Sequence, residues 1–127
     1  MTEPARTVRV LLVDDAVFMR SMAREILDEK EGFEVVAEAS SGAEAVLRYQ
    51  ELAPDLVLMD LVMPEMDGVE ATRRILAIDP SAVVVVCSAQ GQEAPIIESI
   101  AAGAKDFLIK PFSHREVLDL LSSVLAP

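Results

Sequence analysis

Three carboxylates, a hydroxyl and an ammonium stand out in this chain because each closes a short apolar run. Val8–Val13 runs into Asp14 and Asp15, Leu56–Met59 into Asp60, Ala82–Cys87 into Ser88, and Phe107–Ile109 into Lys110. Carboxylates gathered at one place repel each other and make ionisation costly. A hard divalent cation relieves that repulsion. Mg²⁺ commonly takes one or two carboxylates, keeps several waters and accepts phosphate oxygens as further ligands. Lys110 adds a point charge suited to phosphate, and Ser88 a hydroxyl able to hydrogen-bond a phosphoryl oxygen. These are the parts of phosphoryl transfer to an aspartate. A carboxylate attacks phosphorus to give an acyl phosphate while cations neutralise the equatorial oxygens.

Each part also has an ordinary explanation. Asp15 could cap a helix, since Asp is a favoured N-cap. Asp60 could be a solvated strand end, Ser88 a turn residue, Lys110 a surface lysine and Phe107 plain core. Those explanations must hold independently at four strand ends, whereas the chemical one needs a single cause.

The elements that would position these residues alternate strand and helix five times. Apolar runs of this kind read as strands buried on both faces of a parallel sheet. Phe18-Met22-Ile26 and Met19-Ala23-Leu27 recur at helical spacing after the first run, and Gly32 closes that segment before a second strand at Phe33–Ala37. Ser41 and Glu44 form a capping-box pattern, opening a helix expected to bury Ala43, Val46 and Leu47 and to stop before Pro54. Asp67-Gly68 marks a loop before a helix from about Val69 to Asp79-Pro80. A fourth helix carries Pro95 in its first turn, an apolar stripe of Ile96, Ile97, Ile100 and Ala101, and a stop at Gly103. Ser113 and Glu116 repeat the capping pattern ahead of Val117, Leu118, Leu121, Val124 and Leu125. Five βα units imply a doubly wound α/β fold, flavodoxin-like, with five parallel strands in the order 2-1-3-4-5 and five helices. Ligands of such sheets sit beyond the carboxyl ends of the strands, at the switch point between the first and third. Asp14, Asp15 and Asp60 end those two strands.

Composition bounds the partners. The 127 residues suit one domain, residues 1–127, and 52% of them are hydrophobic, which excludes disorder. No apolar run reaches the roughly 18 residues of a membrane span. Met1–Thr7 has no apolar stretch, so no secretory signal is expected. The lone Cys87 fits a reducing cytoplasm. A formal net charge of −11 repels nucleic acid and anionic membrane; much of it can serve solubility alone.

At these residues the chain resembles the receiver domains of two-component response regulators, most closely the single-domain chemotaxis regulators. The resemblance runs from Val8 to Leu125. It is carried by Val13-Asp14-Asp15, Met59-Asp60, Met63-Pro64-Glu65-Met66-Asp67-Gly68, Cys87-Ser88-Ala89, Ala102-Gly103-Ala104-Lys105-Asp106-Phe107 and Lys110-Pro111-Phe112. Chemotaxis regulators themselves exemplify the 2-1-3-4-5 order, so the fold expectation is not independent of the resemblance. The resemblance implies Asp60 as phosphoacceptor, and Mg²⁺ held by Asp14, Asp15, Asp60 and the backbone carbonyl of Val62. It implies Lys110 as partner of the phosphoryl group, with a cis bond to Pro111, and Ser88 and Phe107 as a switch pair. Ser88 stands where many members have threonine and Phe107 where many have tyrosine, so any gating by Phe107 works through ring burial alone. Val62 and Gln90 hold the positions that flank the site and tune water access.

The function so implied is a phosphorylation-controlled binding module rather than an enzyme. A histidine kinase would donate the phosphoryl group, and the face formed by the fourth helix, fifth strand and fifth helix would change shape. The flagellar motor switch protein is the implied partner, with a phosphatase resetting a monomeric, cytoplasmic protein. Competing readings are a phosphate sink or relay, the receiver portion of a larger regulator such as a chemotaxis methylesterase, and a metal-dependent phosphatase or hydrolase. Against the last, the single histidine, His114, sits at the start of the last helix with no evident partner base.

Overall fold

The computed structural model describes residues 7–125. Residues 1–6, where no secretory signal was expected, and the final two residues of the expected domain lie outside the described residues. The elements run β1 (Val8–Val13), α1 (Val17–Glu29), β2 (Phe33–Ala39), α2 (Gly42–Leu52), β3 (Leu56–Asp60), α3 (Gly68–Ile78), β4 (Val84–Ala89), α4 (Glu93–Ala101), β5 (Asp106–Lys110) and α5 (His114–Val124). The five strands form one parallel sheet, as expected from the alternation, in the order β2-β1-β3-β4-β5 that the resemblance implied.

Alternation along the strands divides the core into two layers. Leu11 and Val13 face the layer of α2, α3 and α4, where Ala45, Tyr49, Ala71, Ile75 and Ile96 pack with Val57, Met59, Val84 and Val86. Val10 and Leu12 face that of α1 and α5, where Ile26, Leu27, Val117 and Leu121 pack with Leu58, Val85 and Cys87. Full burial of each large aliphatic side chain is worth about 2 kcal/mol in transfer terms, so the central strands fix the sheet. β3 is buried throughout. β5 is an edge strand and is not; its Phe107 is exposed.

Several expected helix faces are turned. In α2 the buried residues are Gly42, Ala45 and Tyr49, while Ala43 and Leu47 are exposed and Val46 is half-buried. Gly42 explains this. A Cβ there would lie 2.4 Å from the Met66 carbonyl oxygen, so only a glycine lets the helix come so close. Tyr49 tolerates burial because its hydroxyl donates to Asp79 at 2.7 Å. In α4, Ile96 and Ser99 face the core, whereas Ile97, Ile100 and Ala101 are exposed. The Ser99 hydroxyl donates to the Ile96 carbonyl at 2.7 Å, so it can be buried without an outside partner. In α1, Ile26 and Leu27 are buried but Phe18 is exposed, beside Met22, Pro111 and Phe112. α5 follows expectation: Val117 and Leu121 are buried, and Leu118, Val124 and Leu125 half-buried. β4 begins two residues later than expected, at Val84, and continues through Ser88 to Ala89.

Ser113 and Glu116 make the full reciprocal capping box on α5. On α2, Ser41 accepts from Glu44 N–H, but the Glu44 carboxylate takes the Ser40 amide instead of the N-cap amide. Among the described residues no helix is long and apolar enough to cross a membrane.

Candidate functional site

The parallel register places the chemistry. Val13 pairs with Met59, so the next residues, Asp14 and Asp60, leave β1 and β3 side by side. Asp60 pairs with Cys87, Ser88 with Ile109 and Ala89 with Lys110. Ends of four strands, far apart in the chain, thereby share one edge at the switch point. Oxygens of Asp14, Asp15 and Asp60 all lie within 4.8 Å of one another. Asp14 and Asp60 are only 8% and 6% exposed, and Asp15 is exposed.

Lys110 lies half-buried between two of them. Its Nζ lies 2.9 Å from Asp14 Oδ2 and 3.2 Å from Asp60 Oδ1. Burial raises the Asp60 pKa above the usual carboxylate value; the Lys110 charge opposes this and the Asp14 charge adds to it. Burial alone would lower the Lys110 pKa, but the hydrogen bond to Asp14 and the charges of Asp60 and Asp14 outweigh it, and the net direction is up. The two directions agree physically. One ammonium gains from two carboxylates, while each carboxylate shares that ammonium and feels its neighbour. A site with three clustered carboxylates and one ammonium has an excess of negative charge, and oxygen donors this close fit a hard cation such as Mg²⁺.

The ordinary explanations fail at several positions. Asp15 is not a helix cap: α1 is preceded by Ala16 and has no side-chain cap, and it is Asp14 that accepts from the Ala16 amide at 2.9 Å. Ser88 is not in a turn but inside β4, 1% exposed. Its hydroxyl lies 3.0 Å from Ala89 O and 3.0 Å from Gln92 Oε1. Phe107 is not core; it is 40% exposed. Val62 has an exposed side chain and reaches the cluster through its amide, which donates to Asp60 Oδ1 at 3.4 Å. Gln90 is exposed. The Lys110–Pro111 bond is cis, as the resemblance implied. His114 lies in the first turn of α5, hydrogen-bonded to Glu29 at 2.9 Å. Cys87 is buried next to Ser88, and burial pushes its thiol up to about 12, which makes it unreactive.

The supporting roles of three residues went unread in the sequence. Gly68 packs against the backbone of Asp60, and its amide donates to Leu61 O at 3.0 Å. Gln92 accepts from both Ser88 and the Ala89 amide. Arg20 donates to the Asp14 carbonyl and to Glu38, which also accepts from Arg24 at 2.7 Å. None has a recognisable spacing signature, since each contact depends on how a loop turns back on its strand or a helix lies on the sheet.

The Arg24 hydrogen bond, with that of Arg20, holds the Glu38 carboxyl below its ordinary pKa despite some desolvation. A depressed carboxyl contributes stability above its unfolded pKa and loses it as pH falls through the folded value. Because the pair is partly exposed, Glu38→Gln is expected to cost only about 0.5–1 kcal/mol at neutral pH. Urea titrations of both proteins should converge as pH falls below the usual carboxylate range; a gap that persists or grows in acid contradicts this.

Comparisons with known proteins agree with this geometry. The family described as "Response regulator receiver domain" matches residues 10–122. The chemotaxis protein CheY of Thermotoga maritima is 54% identical over 116 residues, covering 91% of this chain and 96% of the relative. CheY of Bacillus subtilis is 54% identical over 117 residues, covering 92% and 97%. Among solved structures, the CheX–CheY–BeF3–Mg²⁺ complex from Borrelia burgdorferi aligns with a TM-score of 0.90 at 35% identity, covering 96% of this chain and 92% of that one. The fold, the edge cluster and these matches establish that the chain belongs to the response regulator receiver domain family, closely related to the chemotaxis protein CheY.

Proposed function

We propose that this chain is a single-domain, Mg²⁺-dependent phosphoacceptor whose phosphorylation on Asp60 controls a protein contact in chemotaxis. The observation that carries the reading is Lys110 bridging Asp14 and Asp60 inside a cluster of three carboxylates. Asp14 and Asp60 are both buried and both on the ammonium; kinship with CheY favours Asp60, at the end of β3, as the carboxylate that receives the phosphoryl group. Its oxygen attacks the phosphorus of a kinase phosphohistidine; an O–P bond forms, the P–N bond breaks, and imidazole leaves. Asp14, Asp15, Asp60 and the Val62 carbonyl are the residues to hold Mg²⁺. When bound, the ion neutralises the carboxylates and the equatorial oxygens.

Lys110 then turns from carboxylate pairing to the phosphoryl oxygens, and Ser88 donates its hydroxyl to one of them. Phe107, outward here, moves in behind Ser88, and the α4–β5–α5 face changes shape. A partner that prefers this form shifts the equilibrium towards it. By kinship with CheY, the donor is a chemotaxis histidine kinase, the target is the flagellar motor switch protein, a phosphatase resets the site, and the protein works as a monomer in the cytoplasm. Turnover of phosphate esters would need a general base, and the chain's one histidine, His114, is hydrogen-bonded to Glu29 on α1.

Acetyl phosphate with Mg²⁺ is expected to add one phosphoryl group, mapped by borohydride trapping and mass spectrometry to Asp60. Asp60→Ala should remain unmodified under the same conditions. Equal labelling of the variant, or labelling that is indifferent to a chelator, overturns the assignment.

A further inference from the structure

Gln92 is the residue before α4, at its N-cap position, yet its side chain does not cap that helix. Gln is not among the favoured N-caps, which are shorter. Its extra length serves another contact. Gln92 Oε1 reaches back to β4, accepting from the Ala89 amide at 2.9 Å and from the Ser88 hydroxyl at 3.0 Å. The amide N–H can only donate, so the Gln92 oxygen, not its NH2, must face β4. The same residue lines the groove that contains Phe107, Ile96 and Ile97.

A serine hydroxyl carries a single proton. It cannot be given to Gln92 and to a phosphoryl oxygen at once. In this structure that proton is shared between two acceptors, Gln92 Oε1 and the Ala89 carbonyl, each 3.0 Å from the hydroxyl, and a phosphoryl group on Asp60 must compete for it. We infer that Gln92 is a positioning residue, a latch that holds Ser88 in the resting arrangement and weakens the site for phosphoryl until it is displaced. Its release frees the start of α4, one wall of the groove beside Phe107, so one hydrogen bond couples the chemistry to the responding surface. This inference rests on Asp60 as phosphoacceptor and adds the residue that sets the resting equilibrium.

The test is titration of the full chain with beryllofluoride in Mg²⁺, followed by amide resonances. Gln92→Met keeps the side-chain length and removes the acceptor. It should bind beryllofluoride about threefold to tenfold more tightly, the shift that one net hydrogen bond supports. The amide of Phe107, which donates to Asp106 and not to Gln92, should in unliganded Gln92→Met already lie displaced in the direction that beryllofluoride moves it in the wild type. A merely structural role would not produce that pre-shift. In a Ser88→Ala background the gain from Gln92→Met should fall below about twofold, because the hydroxyl that links them is absent. Wild-type binding with unchanged affinity in Gln92→Met, or a gain that persists without the Ser88 hydroxyl, overturns the latch alone. A wild type that does not respond to beryllofluoride overturns the phosphoacceptor reading and the latch with it.

Discussion

Gly68→Ala is expected to cost about 3 kcal/mol of stability, the upper part of the usual range for forcing atoms into a packed site. A Cβ at Gly68 would lie 2.1 Å from the Asp60 carbonyl oxygen and 2.7 Å from Leu61 Cα. These are backbone atoms, not the end of a flexible side chain, so the clash is relieved only by moving β3 or the start of α3. Both are fixed: Leu61 N–H donates to Cys87 O at 3.0 Å, and α3 is tied down by Asp67 accepting from the Glu70 amide at 2.9 Å. Whichever moves, Asp60 is displaced from Lys110 and Asp14. A misplacement of reacting groups by about 1 Å can cost on the order of a hundredfold in reactivity, so phosphorylation by acetyl phosphate should fall as well. Gly91→Ala is the control. Gly91 has φ +86° but nothing within 4 Å of an added Cβ, so only the left-handed backbone is penalised, at about 1 kcal/mol. Urea titrations of the three proteins measure the difference. Equal losses for the two glycines would show that close approach at Asp60 is not what demands Gly68.

The second large effect is expected at Lys110. Lys110→Met leaves Asp14 and Asp60 buried against each other without their ammonium. Removing one partner of a buried pair costs several kcal/mol because the remaining charge is uncompensated. These side chains keep some solvent access, so about 2 kcal/mol at neutral pH is the expected loss. The sign of the pH dependence follows from the directions of shift. Lys110 is raised in the folded state, so its contribution is complete below the usual lysine range and is lost as pH rises through the raised value. Asp60 is also raised, by burial, so the folded state binds more protons and loses stability as pH climbs from the usual carboxylate value to the raised one. Removing Lys110 deletes a charge that lowers Asp60, which widens that window. The gap between wild type and Lys110→Met should therefore open as pH rises through it and close in acid, where Asp60 is protonated. Adding Asp60→Asn to Lys110→Met should recover most of the loss at neutral pH. A gap that grows towards acid, or a double variant no better than the single, contradicts the electrostatic account. Lys110→Met should also abolish labelling of Asp60, whatever its stability.

How much could be read from the residues alone depended on whether the signal was local. Runs such as Val8–Val13 and Leu56–Met59 declare buried strands, and their alternation with helical periods leaves little choice but a parallel doubly wound sheet. The order 2-1-3-4-5 came with the resemblance to receiver domains, and with it the meeting of Asp14, Asp15 and Asp60. The helix faces were less legible. An apolar period in α2 is compatible with two adjacent stripes; the choice fell to Gly42, whose lack of a side chain lets α2 meet the Met66 backbone. In α4 the buried stripe contains Ser99, a polar residue that satisfies its own hydroxyl within the helix. Phe107 read as a residue that could be core, and β5 proved to be the sheet edge that leaves it outside.

The sequence by itself determined the fold class, the edge at which the chemistry gathers and the residue types delivered there, because strand ends in a parallel sheet converge by geometry. Only the tertiary structure decided which carboxylates Lys110 pairs with, that Ser88 rests on Gln92, and that Gly68 must be empty of side chain beside Asp60. The Lys110 pairs join segments 96 and 50 residues apart, and the other two contacts depend on how the loops after β3 and β4 turn back on their strands. They are set by how the loops and helices pack, and no local pattern encodes them.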